Sequence, residues 1–205
     1  MLDLLDYRRR VSELYATVRA QGESPAAWQH WRQGRDELFA HHNQSALDDE
    51  QRAQFSGLPY FDYHPAYRVV AHIDYAVQPD IIAGEIGDDG VVRLQRFGQV
   101  RFEVPTGTGR LSLFWIMGYG GGVFLPFGDA TNKDTTYGAG RYLYDTIKGA
   151  DLGSNVTMGE IVLDFNYAYH PSCAYHYRWI CPLAQRENKL EIAIPAGEKL
   201  FALAK

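Results

Sequence analysis

The chain has 205 residues, 46% of them apolar and 22% charged, which suits one globular domain with an appendage and argues against wholesale disorder. Twenty basic residues against 25 acidic ones leave a net charge of −5, so a general nucleic-acid role, which needs a basic excess to track phosphates, finds no support. No run approaches the roughly 20 apolar residues that span a bilayer. The opening Met1-Leu2-Asp3-Leu4-Leu5-Asp6 has acids where a signal peptide carries bases, and the two cysteines make no disulfide framework. Both features read as cytoplasmic.

Residues 4–20 place Leu4, Tyr7, Val11, Leu14, Tyr15 and Val18 at steps of three and four, a helix with Asp3 as its expected cap and Gly22 as its stop. Arg8-Arg9-Arg10 lies within it beside Asp3, Asp6 and Glu13, and reads as a solvated face. Ser24-Pro25 opens a second helix, with Ser as cap, Pro at the first helical position and Trp28, Trp31, Leu38 and Phe39 on the buried side. His41-His42 reads as its polar end. A third short helix is expected from Ser45, with Asp48 completing a capping box.

The period changes near Phe55. Tyr67, Val69, Ala71, Ile73, Tyr75 and Val77 alternate, as do Val100, Phe102 and Val104, then Leu111, Leu113, Trp115 and Met117. Glu85, Asp88 and Asp89 flank Gly87 and Gly90 and read as a turn. A second turn at Gly120-Gly121-Gly122 precedes Val123-Phe124-Leu125. Ile161, Leu163 and Phe165 alternate again, and so do Leu190, Ile192 and Ile194. Closely spaced strands with turn signals predict an α+β, mainly β chain. The expectation is an antiparallel sandwich or barrel over 56–205 with a helical N-terminal arm over 1–55.

Two segments could carry chemistry. The 126–143 stretch is longer than a hairpin needs and rich in hydroxyls, carboxylates and glycines. It could present Asp129, Thr131, Thr136, Tyr137 and Arg141 to a ligand, or the Asp and Thr side chains could cap their own turn while Arg141 pairs with an aspartate. In the 164–181 stretch, Asp164, Asn166, Tyr169 and Cys173 could form a pocket wall or the solvated face of an edge strand. Arg141 is the permanently charged fork of the loop, so the expected ligand is small and anionic, in a pocket between the 126–141 loop and the 164–181 segment, with Asp129 or Asp164 as candidate general base.

A nucleophilic Cys173 would need His170 or His176 as base. His170, Cys173, His176 and Cys181 have the composition of a zinc site, but separations of two, two and four residues lack the long loop between ligand pairs, so no metal is assigned. No phosphate loop, nucleophile elbow or H-E-x-x-H motif is present, and the cofactor and oligomeric state are left open. The competing reading is a non-catalytic interaction module in which both segments brace the fold.

The same stretches carry a resemblance. Trp31-Arg32, Arg35-Asp36-Glu37-Leu38, Phe55 to Phe61, Tyr67-Arg68-Val69, Pro126-Phe127 with Asp129 and Thr131, and Thr136 to Leu143 match a known pattern. So do Leu163 to Asn166, Ala168-Tyr169, Cys173-Ala174-Tyr175, Cys181-Pro182-Leu183, Asn188 and Ala196-Gly197-Glu198. The chain resembles the bacterial and archaeal domain-of-unknown-function family 1684. The resemblance implies no reaction, and it marks the two segments singled out above.

Overall fold

The computed structural model describes residues 1–87 and 90–201. Helices α1 (Leu2–Gln21) and α2 (Pro25–His41) form an antiparallel pair. Gly22, at φ 61°, ends α1, and Ser24 caps α2 by accepting a hydrogen bond from the Ala27 N–H. The N-cap of α1 is Met1, without a side-chain bond, so Asp3 lies inside the first turn, where its charge favours the helix dipole. The pair packs closely at Gly34, where a Cβ would stand 2.4 Å from the Leu14 side chain. The third helix, α3 (Asp49–Ala53), starts later than Ser45. Asp48 is its cap, with Gln51 closing the capping box, because the Ser45 hydroxyl donates instead to the Phe39 carbonyl at the end of α2.

Eight strands follow among the described residues: β1 (Arg68–Asp74), β2 (Ile81–Glu85), β3 (Val91–Val104), β4 (Gly107–Ile116), β5 (Gly122–Phe127), β6 (Arg141–Asp145), β7 (Ser154–Asn155) and β8 (Glu160–Asp164). They make one antiparallel sheet in the order β6-β5-β4-β3-β1-β8-β7, and β2 also pairs with β3. The long β3 divides one edge between β1 and β2, and a bulge between Arg96 and Gly98 shifts its register against β4. The sheet curls into a half-barrel. The helices cover its open side, so the sandwich-or-barrel expectation resolves to a partly closed barrel.

Alternation explains the core. Val100, Phe102, Leu111, Leu113, Leu125, Phe127, Ile161 and Leu163 project from the sheet into one cluster with Tyr15, Val18, Trp28, Trp31 and Phe39 of the helices. Trp31 is fully buried, and the Trp28 indole N–H donates to the Asn166 carbonyl, tying α2 to the end of β8. The arm is therefore part of the same core.

Three local expectations change. The strand at Tyr67–Val77 ends at Asp74, whose carboxylate accepts from the Ala76 N–H and turns the chain. Ile81–Glu85 forms a strand that the pattern did not mark, because its side chains are largely exposed. Leu190–Ile194 forms no strand. It runs beside 128–130 through Leu190 N–H to Gly128 O (2.8 Å) and Ala130 N–H to Ile192 O (3.0 Å), then turns its next carbonyls inward. Of the turn expected from Glu85 to Gly90, Asp88 and Asp89 lie outside the described residues.

Candidate functional site

The 128–140 loop is folded on itself. Asp129 Oδ1 accepts from the Thr131 N–H (2.9 Å), the Thr131 hydroxyl (2.6 Å) and the Ile194 N–H (3.1 Å). The Thr136 hydroxyl meets Thr131 Oγ1 at 2.8 Å and accepts from Asn132 Nδ2 at 2.9 Å. Arg141, fully buried at the start of β6, donates to Asp129 Oδ2 (2.8 Å) and to the Ile194 carbonyl (2.8 Å). It also donates to the Ala196 carbonyl and, at 3.4 Å, to that of Glu198. Burial pulls the Arg141 pKa down and Asp129 offsets part of that pull. The fork expected to clamp an anion is thus spent on its own chain: Asp129, Thr131, Thr136 and Arg141 form one internal brace holding 194–198 to the sheet.

Asp164 and Asn166 make a second cluster, at the end of β8. Asp164 Oδ1 accepts from the backbone N–H (3.1 Å) and side-chain amide (2.8 Å) of Asn166, and Arg68 Nε stands 3.8 Å from Oδ2. Asn166 in turn bonds both backbone groups of His64. Burial pushes the Asp164 carboxyl up to about 6, against its hydrogen bonds from Asn166 and the charge of Arg68. It lies at the wall of an open groove of about 320 Å³ between the end of α1 and β8, where a carboxyl of this acidity could exchange a proton near neutral pH.

A third cluster forms where the last described segment meets α2. Glu198, fully buried, pairs with Arg35 of α2 at 2.8 Å and accepts the Tyr175 hydroxyl and the His170 N–H (3.1 Å). Arg35 also donates to the Tyr60 hydroxyl at 3.0 Å. Burial pushes the Glu198 carboxyl up, but Arg35, His170 and Tyr175 outweigh it and hold the group below its usual range. Arg35 and Glu198 both fall within the resemblance, which gives neither a role. They are 163 positions apart, and no local pattern pairs them.

The two candidate segments do meet, at Tyr137. Its N–H donates to His170 Nε2 (3.1 Å), so the ring proton of a neutral His170 sits on Nδ1, 3.6 Å from Glu198 Oε1. The Tyr137 hydroxyl reaches the Cys173 sulfur at 3.9 Å. Neither histidine serves Cys173 as a base: His170 Nε2 is taken, and His176 Nε2 lies 3.2 Å from Asp48. Among the described residues no group of three or more His, Cys, Asp or Glu side chains is placed to hold a metal ion.

Beside this junction lies a small cavity of about 80 Å³. The α1–α2 pair closes one side with Tyr7, Val11, Tyr15, Arg35 and Phe39, and Tyr142, Asp145, Lys148, Tyr169, His170 and Cys181 form the other. Three of its lining residues carry a buried polar atom without a hydrogen bond among the described residues: the Tyr15 hydroxyl, Asp145 Oδ1 and His170 Nδ1. Of the predicted site residues, Tyr169 lines this cavity. Tyr137 and Cys173 line a separate surface groove of about 630 Å³ with His176 and Tyr177.

The fold and these clusters describe a helix-capped antiparallel half-barrel with internal ion-pair braces. A family model described as protein of unknown function DUF1684 matches residues 53–199, and the chain belongs to that family. It is also similar to an uncharacterised protein from Haloarcula marismortui, solved by solution NMR. The two are 33% identical with a TM-score of 0.61, over 85% of this chain and 92% of that one. No curated protein matches.

Proposed function

We propose that the chain binds a small, acceptor-rich molecule, such as a short carboxylate, in the cavity between the α1–α2 pair and the 142–181 wall. The observation that carries this reading is that residues lining one small cavity, Tyr15 and Asp145 on its two sides, each carry a buried polar atom without a hydrogen bond among the described residues. A buried polar group left unpaired costs about 1–3 kcal/mol, so the Tyr15 hydroxyl on one side and Asp145 Oδ1 on the other call for an occupant that pairs them. Donors dominate the lining. Arg35 uses Nε and Nη2 internally, and Tyr15, Tyr169 and Lys148, the last paired with Asp145 Oδ2 at 3.3 Å, line the same space. Asp145 Oδ1 is the acceptor among them, suited to a hydroxyl or amide N–H on the same ligand. Arg35 thus takes the role that the sequence pattern suggested for Arg141, while Asp129 and Arg141 hold the wall from behind.

The test is a thermal-shift screen of wild type and Tyr15→Phe against formate, acetate, short hydroxy acids, phosphate and small amides. A ligand at a hundredfold over its Kd adds about 2.7 kcal/mol. For a chain of this length that raises the midpoint by roughly 5–10 °C. The variant should melt slightly higher without ligand and respond less to it. No shift with any compound overturns the reading in favour of a non-catalytic interaction module. For that second reading, Arg141 and Asp164 are both consumed internally, and Ile81 and Trp115 stand exposed on β2 and β4, flanking Gln95 of β3.

A further inference from the structure

We propose that Cys181 and Cys173 form a thiol redox site, in which a hydroperoxide oxidises the Cys181 sulfur and Cys173 then closes a disulfide with it. The two cysteines are free and partly exposed; Cys173 lies in the short turn Ser172–Ala174, and Cys181 lies eight residues further on. Their environments differ in kind. The Cys181 sulfur accepts from the Cys173 N–H at 3.4 Å, and its acidity is raised by the neighbouring Cys173 thiol first, then by the backbone N–H groups of Cys173 and Ser172 and the Lys148 ammonium. Convergent donors of this kind stabilise a thiolate over a thiol. Together they outweigh partial burial and draw the Cys181 pKa down to about 6, whereas the shared hydrogen bond and burial drive that of Cys173 up.

The division of labour follows. Cys181 is the nucleophile, and it lines the small cavity, which gives a small peroxide a path to it. Cys173 is the resolving thiol, and its own backbone N–H already stands on the sulfur it would attack, at 3.4 Å. The Tyr137 hydroxyl, 3.9 Å from the Cys173 sulfur, orients that side chain from the facing loop.

Each step balances. The Cys181 thiolate attacks a peroxide oxygen; the S–O bond forms and the O–O bond breaks. With hydrogen peroxide the departing hydroxide takes a proton from solvent and leaves as water. Cys181 is then a sulfenic acid, and the peroxide has been reduced. Next the Cys173 sulfur attacks Cys181. The S–S bond forms and the S–O bond breaks, and the hydroxide leaves with the Cys173 proton as a second water. An external dithiol returns the pair to the reduced state by two exchanges. None of these steps depends on a ligand in the cavity.

The experiment uses the reduced full-length chain, treated with one equivalent of hydrogen peroxide, quenched with N-ethylmaleimide and read by intact mass and peptide mapping. The expected product has lost two hydrogens, takes no alkylation, maps to a Cys173–Cys181 disulfide and is restored by dithiothreitol. Cys173→Ser should stop at a sulfenic acid on Cys181, trapped by dimedone. Cys181→Ser should consume peroxide roughly tenfold more slowly or worse, as the loss of the thiolate dictates. Separate over-oxidation of the two thiols without a disulfide would overturn the proposal. So would a dimedone adduct on Cys173 rather than Cys181, or disulfides only between molecules.

Discussion

Replacing Arg141 by lysine separates a brace from a ligand clamp. The guanidinium is fully buried and spreads its donors over Asp129 Oδ2 and the carbonyls of Ile194, Ala196 and Glu198. A lysine ammonium reaches from one nitrogen and cannot span the same fork. Keeping the Asp129 contact and one carbonyl leaves two carbonyls in a dry interior. At about 1.5 kcal/mol for each lost charge-assisted bond, the expected cost is about 3 kcal/mol. Arg141→Met, which strands the Asp129 carboxylate, should cost about 3–5 kcal/mol. Urea titrations followed by circular dichroism and tryptophan fluorescence read the loss directly. In a thermal scan it corresponds to a fall of roughly 6–12 °C for a chain of this length. If Arg141→Lys unfolds within about 1 kcal/mol of wild type, the brace reasoning fails and the charge is not doing structural duty.

The Asp164 carboxyl gives a pH signature. Its folded pKa of about 6 lies above its unfolded value near 3.8, so the folded state holds the proton more tightly. The ionised form therefore destabilises the fold fully above pH 6, by about 3 kcal/mol for roughly two units, and that penalty vanishes as pH falls through the unfolded value. Wild type measured against Asp164→Asn should gain relative stability between pH 7 and pH 4; a constant difference would refute the assignment. Asn188→Ala removes bonds to the Ser112 N–H (2.7 Å), the Ser112 carbonyl (2.9 Å) and the Pro126 carbonyl (2.8 Å). It should cost about 3 kcal/mol by urea titration, because the partners stay buried. Gly197→Ala should cost about 2 kcal/mol or more, since φ is 79° and a Cβ would stand 2.6 Å from the Ala168 carbonyl oxygen. A melting point unchanged by this substitution would mean that the backbone there relaxes freely.

What could be read along the chain is what depends on near neighbours. The steps of three and four from Leu4 to Val18, the Ser24-Pro25 start and the Gly22 stop fix α1 and α2, because helical hydrogen bonds and caps reach only a few residues. Alternation along β3, β4 and β8 names most of the sheet-side core, because successive strand side chains face opposite ways. The stretch between β5 and β6 stands out as more than a hairpin by length and composition alone. Where local chemistry offered two partners, the pattern was undecided or misleading. Ser45 looked like a cap and bonds backward to α2, and Leu190–Ile194 alternates but gives its neighbouring carbonyls to Arg141.

The tertiary structure decided everything that rests on distant pairs. Composition makes Arg141 equally a clamp or a brace, and only the path of 194–198 past its guanidinium makes it a brace. Arg35 and Glu198 become an ion pair because α2 closes over the half-barrel where the last described segment returns. Cys173 and Cys181, eight positions apart, meet because the turn at Ser172–Ala174 puts the Cys173 N–H on the Cys181 sulfur at 3.4 Å. Charge, burial and proton affinity are set by what surrounds a group in space, and that surrounding comes mostly from residues far away in the sequence.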